Sequence, residues 1–339
     1  MALRCFLKNT FLFFFCLIYL SLTVDSNAVN ITGDNEITSD STTQQKFNAD
    51  STSLTISNSA TLDVNTKPVH INEKSNGTVT LESGATLVGN NNSIAGDDTS
   101  GLTVTNSGTI RAKNAKAINL LDGTDATITN NSGGTIYSKT NAISASKNGT
   151  TPDSITITNS GTIYTTNGST NTIVFHSTAT DSTVTNNSGG YIYNNSTKAV
   201  VAIGTNSTLT NSGKIENKQS PDEESIQVQG SGNTITLKDG GIVIGTIQNS
   251  SSNTNTLKIQ HGLGQGYYYK TSGSGTFNLQ DLDGNQIVQG SAGSVGQGAS
   301  ETQDELLGYK SLNIRKSLNR YKKNKNENKG WGETYGSFL

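Results

Sequence analysis

Short apolar runs alternate with threonine along most of this chain, and one phrase keeps returning among them. The phrase reads hydrophobic, Thr, Asn, Ser, Gly, any residue, hydrophobic, and its asparagines recur every 24 to 29 residues. Clear copies begin at Val104, Ile128, Ile157, Val184 and Leu209, and weaker copies begin at Ile56, Leu81 and Leu237. A fixed period in this range predicts a solenoid, in which each repeat is one structural unit stacked on the next.

The apolar spacing inside each repeat predicts β-strands. In residues 102–105 and 155–158 aliphatic residues alternate with threonines, so the aliphatics are expected to point inward and the threonines outward. Each repeat holds one segment before the Asn-Ser-Gly corner, one after it, and one further on, such as residues 117–120. The chain is therefore predicted to be all-β, a right-handed parallel β-helix of about eight rungs with a short C-terminal helix.

The repeated corners predict where the coil bends. Asparagine and glycine tolerate positive φ at low cost, so they favour sharp turns between strands. The predicted corner residues are Asn106, Gly108, Asn130, Gly133, Asn159, Gly161, Asn186, Gly189, Asn211 and Gly213. Their role is expected to be turn formation, and the stacked asparagines are expected to form a hydrogen-bonded amide ladder.

Composition supports a folded β-protein. Hydrophobic residues make up 31% and charged residues 15% of the 339 residues, and the net charge is −2. Disordered chains combine low hydrophobicity with high net charge, whereas this chain is rich in Thr, Ile and Val in short runs, which favours strands. Both cysteines, Cys5 and Cys16, lie near the start.

The first 28 residues have the order of a secretory signal: basic residues, an uncharged apolar run over 10–22, and small residues before Ala28. Cleavage is expected between Ala28 and Val29, which leaves a chain without cysteine. A transmembrane anchor is the alternative, but the run is shorter than the ~20 residues that a span needs. Bulky phenylalanines before Cys16 disfavour lipoprotein cleavage there.

The rest of the chain divides by composition. Residues 29–50 are expected to be an N-terminal cap or lead-in, and residues 51–260 the β-helix repeats. Residues 261–299 are expected to hold a hairpin-like closing β module and a Gly/Ser-rich linker. Capping-box spacing at 302–305 and a shared apolar face predict a helix over 300–323.

The C-terminal segments carry a resemblance to a known family. Glu301 to Leu307 (ETQDELL) leads to Ile314 to Leu318 (IRKSL), and Trp331 to Ser337 (WGETYGS) follows. With the signal and the repeats, this order resembles a bacterial type V autotransporter. The resemblance implies a passenger carried across the outer membrane, with the helix threading a barrel pore and residues 324–339 starting the translocator β-barrel. At most the first barrel strand is present, so either the chain is truncated, or the barrel is encoded separately, or the resemblance is partial.

Candidate catalytic groups are sparse. His70, His176 and His261 fall on different rungs without metal-ligand spacing. The acidic candidates, expected to be solvated loop residues, are Asp97 with Asp98, Asp122 with Asp125, and Asp222 with Glu223 and Glu224. The basic stretch 310–329 lacks interleaved base-stacking aromatics and favours lipid headgroups or barrel acids over nucleic acid.

The sequence therefore predicts an exported passenger fragment at the outer membrane or cell surface, or secreted, acting as a non-catalytic adhesin or structural protein. The expected partners are host or environmental glycans or proteins, and an outer-membrane β-barrel through the C-terminal helix. No cofactor, metal or nucleic acid is expected. The alternative is a β-helix lyase or glycoside hydrolase acting on polysaccharides, which needs several acids or bases converging on one face.

Overall fold

A computed structural model of the protein describes residues 28–238, 240–250, 254–260, 266–284, 291–293 and 314–316. The chain divides into two compact units. One runs to Gln260 and resumes over Tyr268–Gly290, and the other comprises His261–Tyr267 and Ser291–Leu339. Nearly all of the signal, the linker helix and the barrel-strand segment lie outside the described residues.

The first unit consists of three parallel sheets, named A, B and C here. Sheet A contains β1 (Val29–Ile31), β3 (Gln45–Phe47), β6 (Val69–Asn72), β9 (Ile94–Asp97), β12 (Ile118–Leu121), β15 (Ile143–Ser146), β18 (Ile173–Phe175), β21 (Val201–Ile203), β24 (Glu224–Val228), β27 (Thr246–Asn249) and β30 (Thr271–Ser272). Sheet B contains β2 (Asp34–Ile37), β4 (Ser53–Ile56), β7 (Thr78–Leu81), β10 (Thr103–Asn106), β13 (Thr127–Asn130), β16 (Thr156–Asn159), β19 (Thr183–Asn186), β22 (Thr208–Asn211), β25 (Thr234–Leu237), β28 (Asn255–Ile259) and β31 (Phe277–Asp281). Sheet C contains β5 (Thr61–Val64), β8 (Thr86–Gly89), β11 (Thr109–Ala112), β14 (Thr135–Ser138), β17 (Thr162–Thr165), β20 (Tyr191–Asn194), β23 (Lys214–Asn217) and β26 (Ile242–Ile244).

The chain visits the sheets in the order A, B, C and then returns to A one level further on. Eight successive coils, from β3–β5 to β24–β26, contribute a strand to every sheet. Every strand in the three sheets pairs in parallel with its counterpart in the next coil. The predicted parallel β-helix is confirmed, and its right-handed sense stays a prediction.

The core is a stack of aliphatic side chains between the sheets. Along the strands of sheet B, buried and partly exposed positions alternate, because successive side chains point to opposite faces of a strand. Ile128, Ile157 and Val184 stand in register in three successive coils and have no exposed surface. The threonines beside them face outward and remain partly exposed.

The coil begins earlier than the repeat indicates. Residues 29–50, expected to be a cap or lead-in, contain β1, β2 and β3, which pair in the register of the later coils. Ile31 and Phe47 supply the buried positions, at 4% and 1% exposure. The outward residues here are charged or amide side chains rather than threonine, so the repeated phrase is not visible although the strand geometry is the same.

The coil also ends differently from the prediction. Residues 277–279 were expected in a hairpin-like module, but β31 pairs in parallel with β28 and places Leu279 opposite Leu257. The prediction of a hairpin is wrong, because β31 continues the parallel stacking of sheet B and does not pair with the strand over residues 266–268. A separate two-stranded sheet joins β29 (Gly266–Tyr268) to β32 (Ser291–Gly293), and residues 314–316 are helical. Within the described residues, no helix has the length and apolar character needed to cross a bilayer.

Candidate functional site

The predicted corner asparagines form one buried column between sheets B and C. Asn106, Asn130, Asn159, Asn186 and Asn211 all have 0% exposure. Each of the first four donates from Nδ2 to Oδ1 of the asparagine in the next coil, and every one of these distances is 2.8 Å. The same amides also donate to nearby backbone carbonyls. The column is therefore fully engaged within the protein and stabilises the corner.

The predicted amide ladder of these asparagines is confirmed, but the positive φ predicted for them is wrong. None of the five adopts positive φ, so they act through their side-chain amides rather than through an unusual backbone. Positive φ occurs instead at Gly133 and Gly189, at 81° and 82°, where the corner is longer by an Asn and a Gly. In the short corners glycine is needed for space, because a Cβ on Gly161 would lie 2.2 Å from the Gly134 carbonyl oxygen.

A second column of corner residues, between sheets A and B, was missed in the sequence. Its members have positive φ between 49° and 73°: Ser51, Asn76, Gly101, Asp125, Ser154, Asp181, Asn206 and Gly232. Ser, Asn, Asp and Gly are the residues that most readily form such turns. In the sequence, each of these residues follows a Ser, Thr or Asp and comes just before a strand of sheet B. The pattern was missed because the residue type at this position changes from one repeat to the next.

Several of the acidic candidates contact nearby groups of the coil. Asp97 lies 3.5 Å from Lys67 Nζ and 3.7 Å from His70 Nε2. The neighbouring His70 ring is the main cause that lowers the pKa of Asp97. Asp122 is 7% exposed and accepts hydrogen bonds from the backbone N–H groups of Asn148 and Gly149.

The remaining acids do not build a shared site either. Asp125 accepts from the Ser100 hydroxyl at 3.3 Å, and Asp222 lies 2.5 Å from Lys270 Nζ. Among the described residues, no three His, Cys, Asp or Glu side chains come together in a way that would hold a metal ion. His176 bonds Thr178 on its own loop, and His261 lies outside the described residues.

The outer face of sheet C carries a feature that the sequence analysis missed, a column of stacked tyrosines. The Tyr137 and Tyr164 rings have centroids 4.8 Å apart and planes within 3° of parallel. Tyr164 stacks in the same way on Tyr193, at 4.9 Å and 3°. Parallel strand pairing places these residues at the same register position in successive coils. The signal was the repeated Ile-Tyr that follows three corners, at residues 136–137, 163–164 and 192–193.

A cation lies over the outer ring face at each end of this tyrosine column. The Arg111 guanidinium carbon lies 5.6 Å from the Tyr137 ring centroid, and Lys218 Nζ lies 3.6 Å from that of Tyr193. A cation over an aromatic face is attracted by the negative charge of the ring face. Both faces of Tyr164 are covered by its neighbours, so the column exposes ring edges and hydroxyls rather than ring faces.

A second group of contacts extends the column at its Lys218 end. The Tyr191 ring lies 4.6 Å from that of Tyr193, and its hydroxyl donates to the Glu216 carboxylate. Burial, followed by this hydrogen bond and the Glu216 charge, raises the pKa of Tyr191. For Glu216, burial is outweighed by hydrogen bonds from Lys214 and Tyr191, so its pKa lies below the ordinary value. Lys214 Nζ is 2.8 Å from Glu216.

An open groove of about 460 Å³ lies beside the Arg111 end of the column. Arg111, Lys113, Tyr137, Lys139 and residues 166–168 line it. The guanidinium, ammonium, phenol and amide groups among them are hydrogen-bond donors. The groove and the tyrosine column together form the candidate binding face.

The outer face of sheet B differs from that of sheet C in its side chains. From β7 to β25, both outward positions of every strand are threonine, in seven successive coils. The two faces share strand pairing and core, but that stretch of sheet B carries neither charge nor aromatic rings at its outward strand positions. The aromatic and basic side chains of sheet C are therefore not a general property of the coil.

Comparison with protein-family models, with curated proteins and with solved structures gives no significant match for this chain. The parallel β-helix and the candidate binding face on sheet C are therefore the basis for a functional proposal.

Proposed function

We propose that this chain is the passenger part of an exported bacterial surface protein of the autotransporter type, and that it acts as a non-catalytic adhesin. The observation that carries the proposal is the tyrosine column on sheet C with its flanking cations. Tyrosine and arginine are enriched where proteins contact partners, since they combine contact area with hydrogen-bond donors. Their concentration on one face of a threonine-rich coil supports a contact surface there.

The architecture supports an adhesive role. A solenoid presents an extended surface whose outward side chains can vary without disturbing the core. The signal at residues 1–28 and the autotransporter-like segments after residue 300 support export and a place at the cell surface, although nearly all of these residues lie outside those described.

A polysaccharide-cleaving enzyme is the rival function. Such enzymes need acids or bases that converge on the scissile bond. Here the acids engage coil groups instead, as Asp122 does with two backbone N–H groups and Asp97 with Lys67 and His70. These contacts favour a binding role for the described part of the chain.

Adhesion is tested by exposing the labelled, purified chain to an array of glycans and surface proteins. Replacing Tyr137 and Tyr164 by threonine converts part of sheet C to the surface of sheet B. We expect this variant to lose most of the adhesion. The matched control, Thr129→Ser with Thr158→Ser, alters the same two coils on sheet B and is expected to retain it. No adhesion by the parent chain, or cleavage of an array glycan, would contradict the proposal.

Display at the cell surface has its own test. A complete autotransporter barrel is fused after Phe338, and cells with and without the barrel are labelled from outside. A closed barrel pairs every backbone group in hydrocarbon, so we expect strong labelling with the fused barrel and little without it. Strong labelling of the chain alone would show that the passenger proposal is wrong.

A further inference from the structure

The geometry of the tyrosine column restricts what it can bind. Tyr164 lies between two parallel rings, and the outer faces of Tyr137 and Tyr193 are occupied by Arg111 and Lys218. A ligand therefore cannot stack on these faces as a nucleic-acid base would. It meets ring edges, which carry positive partial charge, and phenol hydroxyls. Both favour a ligand that presents oxygen acceptors.

The charged side chains on this face also favour a ligand with oxygen acceptors. The outward side chains of sheet C from β5 to β23, with the two residues after each strand, include five cations and two carboxylates: Arg111, Lys113, Lys139, Lys214, Lys218, Asp63 and Glu216. Both carboxylates are already paired, Asp63 with Lys113 at 2.9 Å and Glu216 with Lys214 at 2.8 Å. Within the described residues, Arg111, Lys139 and Lys218 have no carboxylate at ion-pair distance. The face is thus locally positive on a chain whose net charge is −2.

The groove places three of these cations together, Arg111, Lys113 and Lys139, of which Lys113 is paired with Asp63. Arg111 and Lys139 line it with Tyr137, and Thr166, Asn167 and Gly168 also line it. A guanidinium pairs well with planar carboxylates and with sulfate or phosphate oxygens, and an ammonium adds a second charge. Beyond the groove the column continues for two more coils at the strand spacing, so a long ligand meets similar groups repeatedly.

We propose that this face binds a linear acidic polysaccharide, with an acid group of one sugar between Arg111 and Lys139 and the chain running along the tyrosine column. The inference rests on the adhesive function proposed above and names its ligand class. Carboxylated and sulfated sugars share the required chemistry, since both bring anionic oxygens together with hydroxyl groups.

The experiment measures binding of the purified chain to immobilised polygalacturonate, dextran sulfate and neutral dextran, with single-stranded DNA as a polyanion without sugar acids. We expect binding to one or both acidic glycans, weakening as salt is raised, and little binding to dextran or DNA. The first two arms distinguish a carboxylate from a sulfate ligand.

Two double variants remove equal charge from different places. Arg111→Gln with Lys139→Gln is expected to weaken acidic-glycan binding by roughly two- to thirtyfold, since an exposed ion pair contributes about 0.2–1 kcal/mol. Lys46→Gln with Lys147→Gln removes two exposed cations away from sheet C and is expected to leave binding unchanged. Circular dichroism checks that both variants keep the parent fold.

Equal losses in the two variants would overturn the inference, and so would equal binding of dextran or of DNA. If the chain adheres to neutral glycans or proteins but to neither acidic glycan, the ligand class is wrong and the adhesive function stands. If it adheres to nothing on the array, the adhesive function itself fails.

Discussion

The side-chain amide of Asn159 donates a hydrogen bond to Oδ1 of Asn186, one coil further on, across 2.8 Å and with both residues fully buried. The same contact recurs between consecutive corners along five coils. A ladder of this kind couples the coils, because each amide satisfies its neighbour in a place that water does not reach.

Removing one amide from the ladder is expected to be costly. In Asn186→Ala, the Asn159 donor and the Asn211 acceptor each lose a buried partner, at roughly 1–3 kcal/mol for each group left unpaired. Asn187 is adjacent and only partly buried, and it bonds the Ser160 hydroxyl. Asn187→Ala is therefore expected to cost about 1 kcal/mol or less. Chemical denaturation of both variants measures the difference, and similar losses would argue against the ladder.

Two corner glycines are expected to respond differently to alanine. A Cβ at position 161 would lie 2.2 Å and 2.5 Å from backbone oxygens of Gly134 and Asn131, which cannot move without breaking the coil. Gly133 has φ of 81° and open space around it. Gly133→Ala should therefore cost only about 1–2 kcal/mol for the left-handed backbone, and Gly161→Ala considerably more. Thermal unfolding of the purified variants measures the two losses of stability. A larger loss in Gly133→Ala than in Gly161→Ala would contradict the assigned geometry.

Inward and outward positions of one strand are expected to differ sharply. Ile157 has no exposed surface, whereas Thr158 faces outward. Ile157→Asp buries an unpaired carboxylate and should cost several kcal/mol, enough to reduce the folded fraction strongly. Thr158→Asp introduces the same group in contact with water and should cost much less. The free energy of unfolding is the measurement, and equal losses at the two sites would contradict the alternation.

The tyrosines of sheet C predict a loss of stability in alkaline solution. Burial is the main cause that raises the pKa of Tyr164, Tyr191 and Tyr193 above the ordinary value. The folded state holds these protons longer than the unfolded state, so their contribution is complete below about pH 10 and is lost as the pH rises through the folded-state values. Tyr191→Phe has no proton to lose there.

Denaturant unfolding of the parent and of Tyr191→Phe across the alkaline range measures this effect. The parent's stability is expected to fall more steeply with pH than that of the variant. A steeper fall in the variant, or titration of the phenols below their ordinary range in an absorbance experiment, would contradict the assignment.

The exported protein is expected to begin at Val29. A cut after Ala28 leaves β1 whole, and β1 pairs with β3 from its first residue. Mass spectrometry of exported material measures the terminus. An intact Met1, or a lipid on Cys16, would contradict the prediction.

The repeated phrase was sufficient to predict the coil class, because a single residue pattern determines both the inward stack and the corner. Ile157 and Val184 fall in register as the alternation implies. The start of the coil could not be recognised from the repeat, because Asp34, Glu36 and Lys46 stand at the outward positions where threonines were expected. The corner between sheets A and B could not be recognised in the sequence, because Ser154, Asp181 and Asn206 adopt the same positive φ with three different side chains.

The sequence by itself determined the solenoid. Strict alternation gives each strand one aliphatic face, and the fixed period stacks these faces into a single buried column. Only the tertiary structure decided what the surface carries. Tyr137, Tyr164 and Tyr193 are 27 and 29 residues apart in the chain, and their stacking depends on a parallel register that loops of different length do not reveal. The same register brings Arg111 and Lys218 to the two ends of that column, because stacking of successive coils, and not proximity in sequence, determines which outward side chains meet.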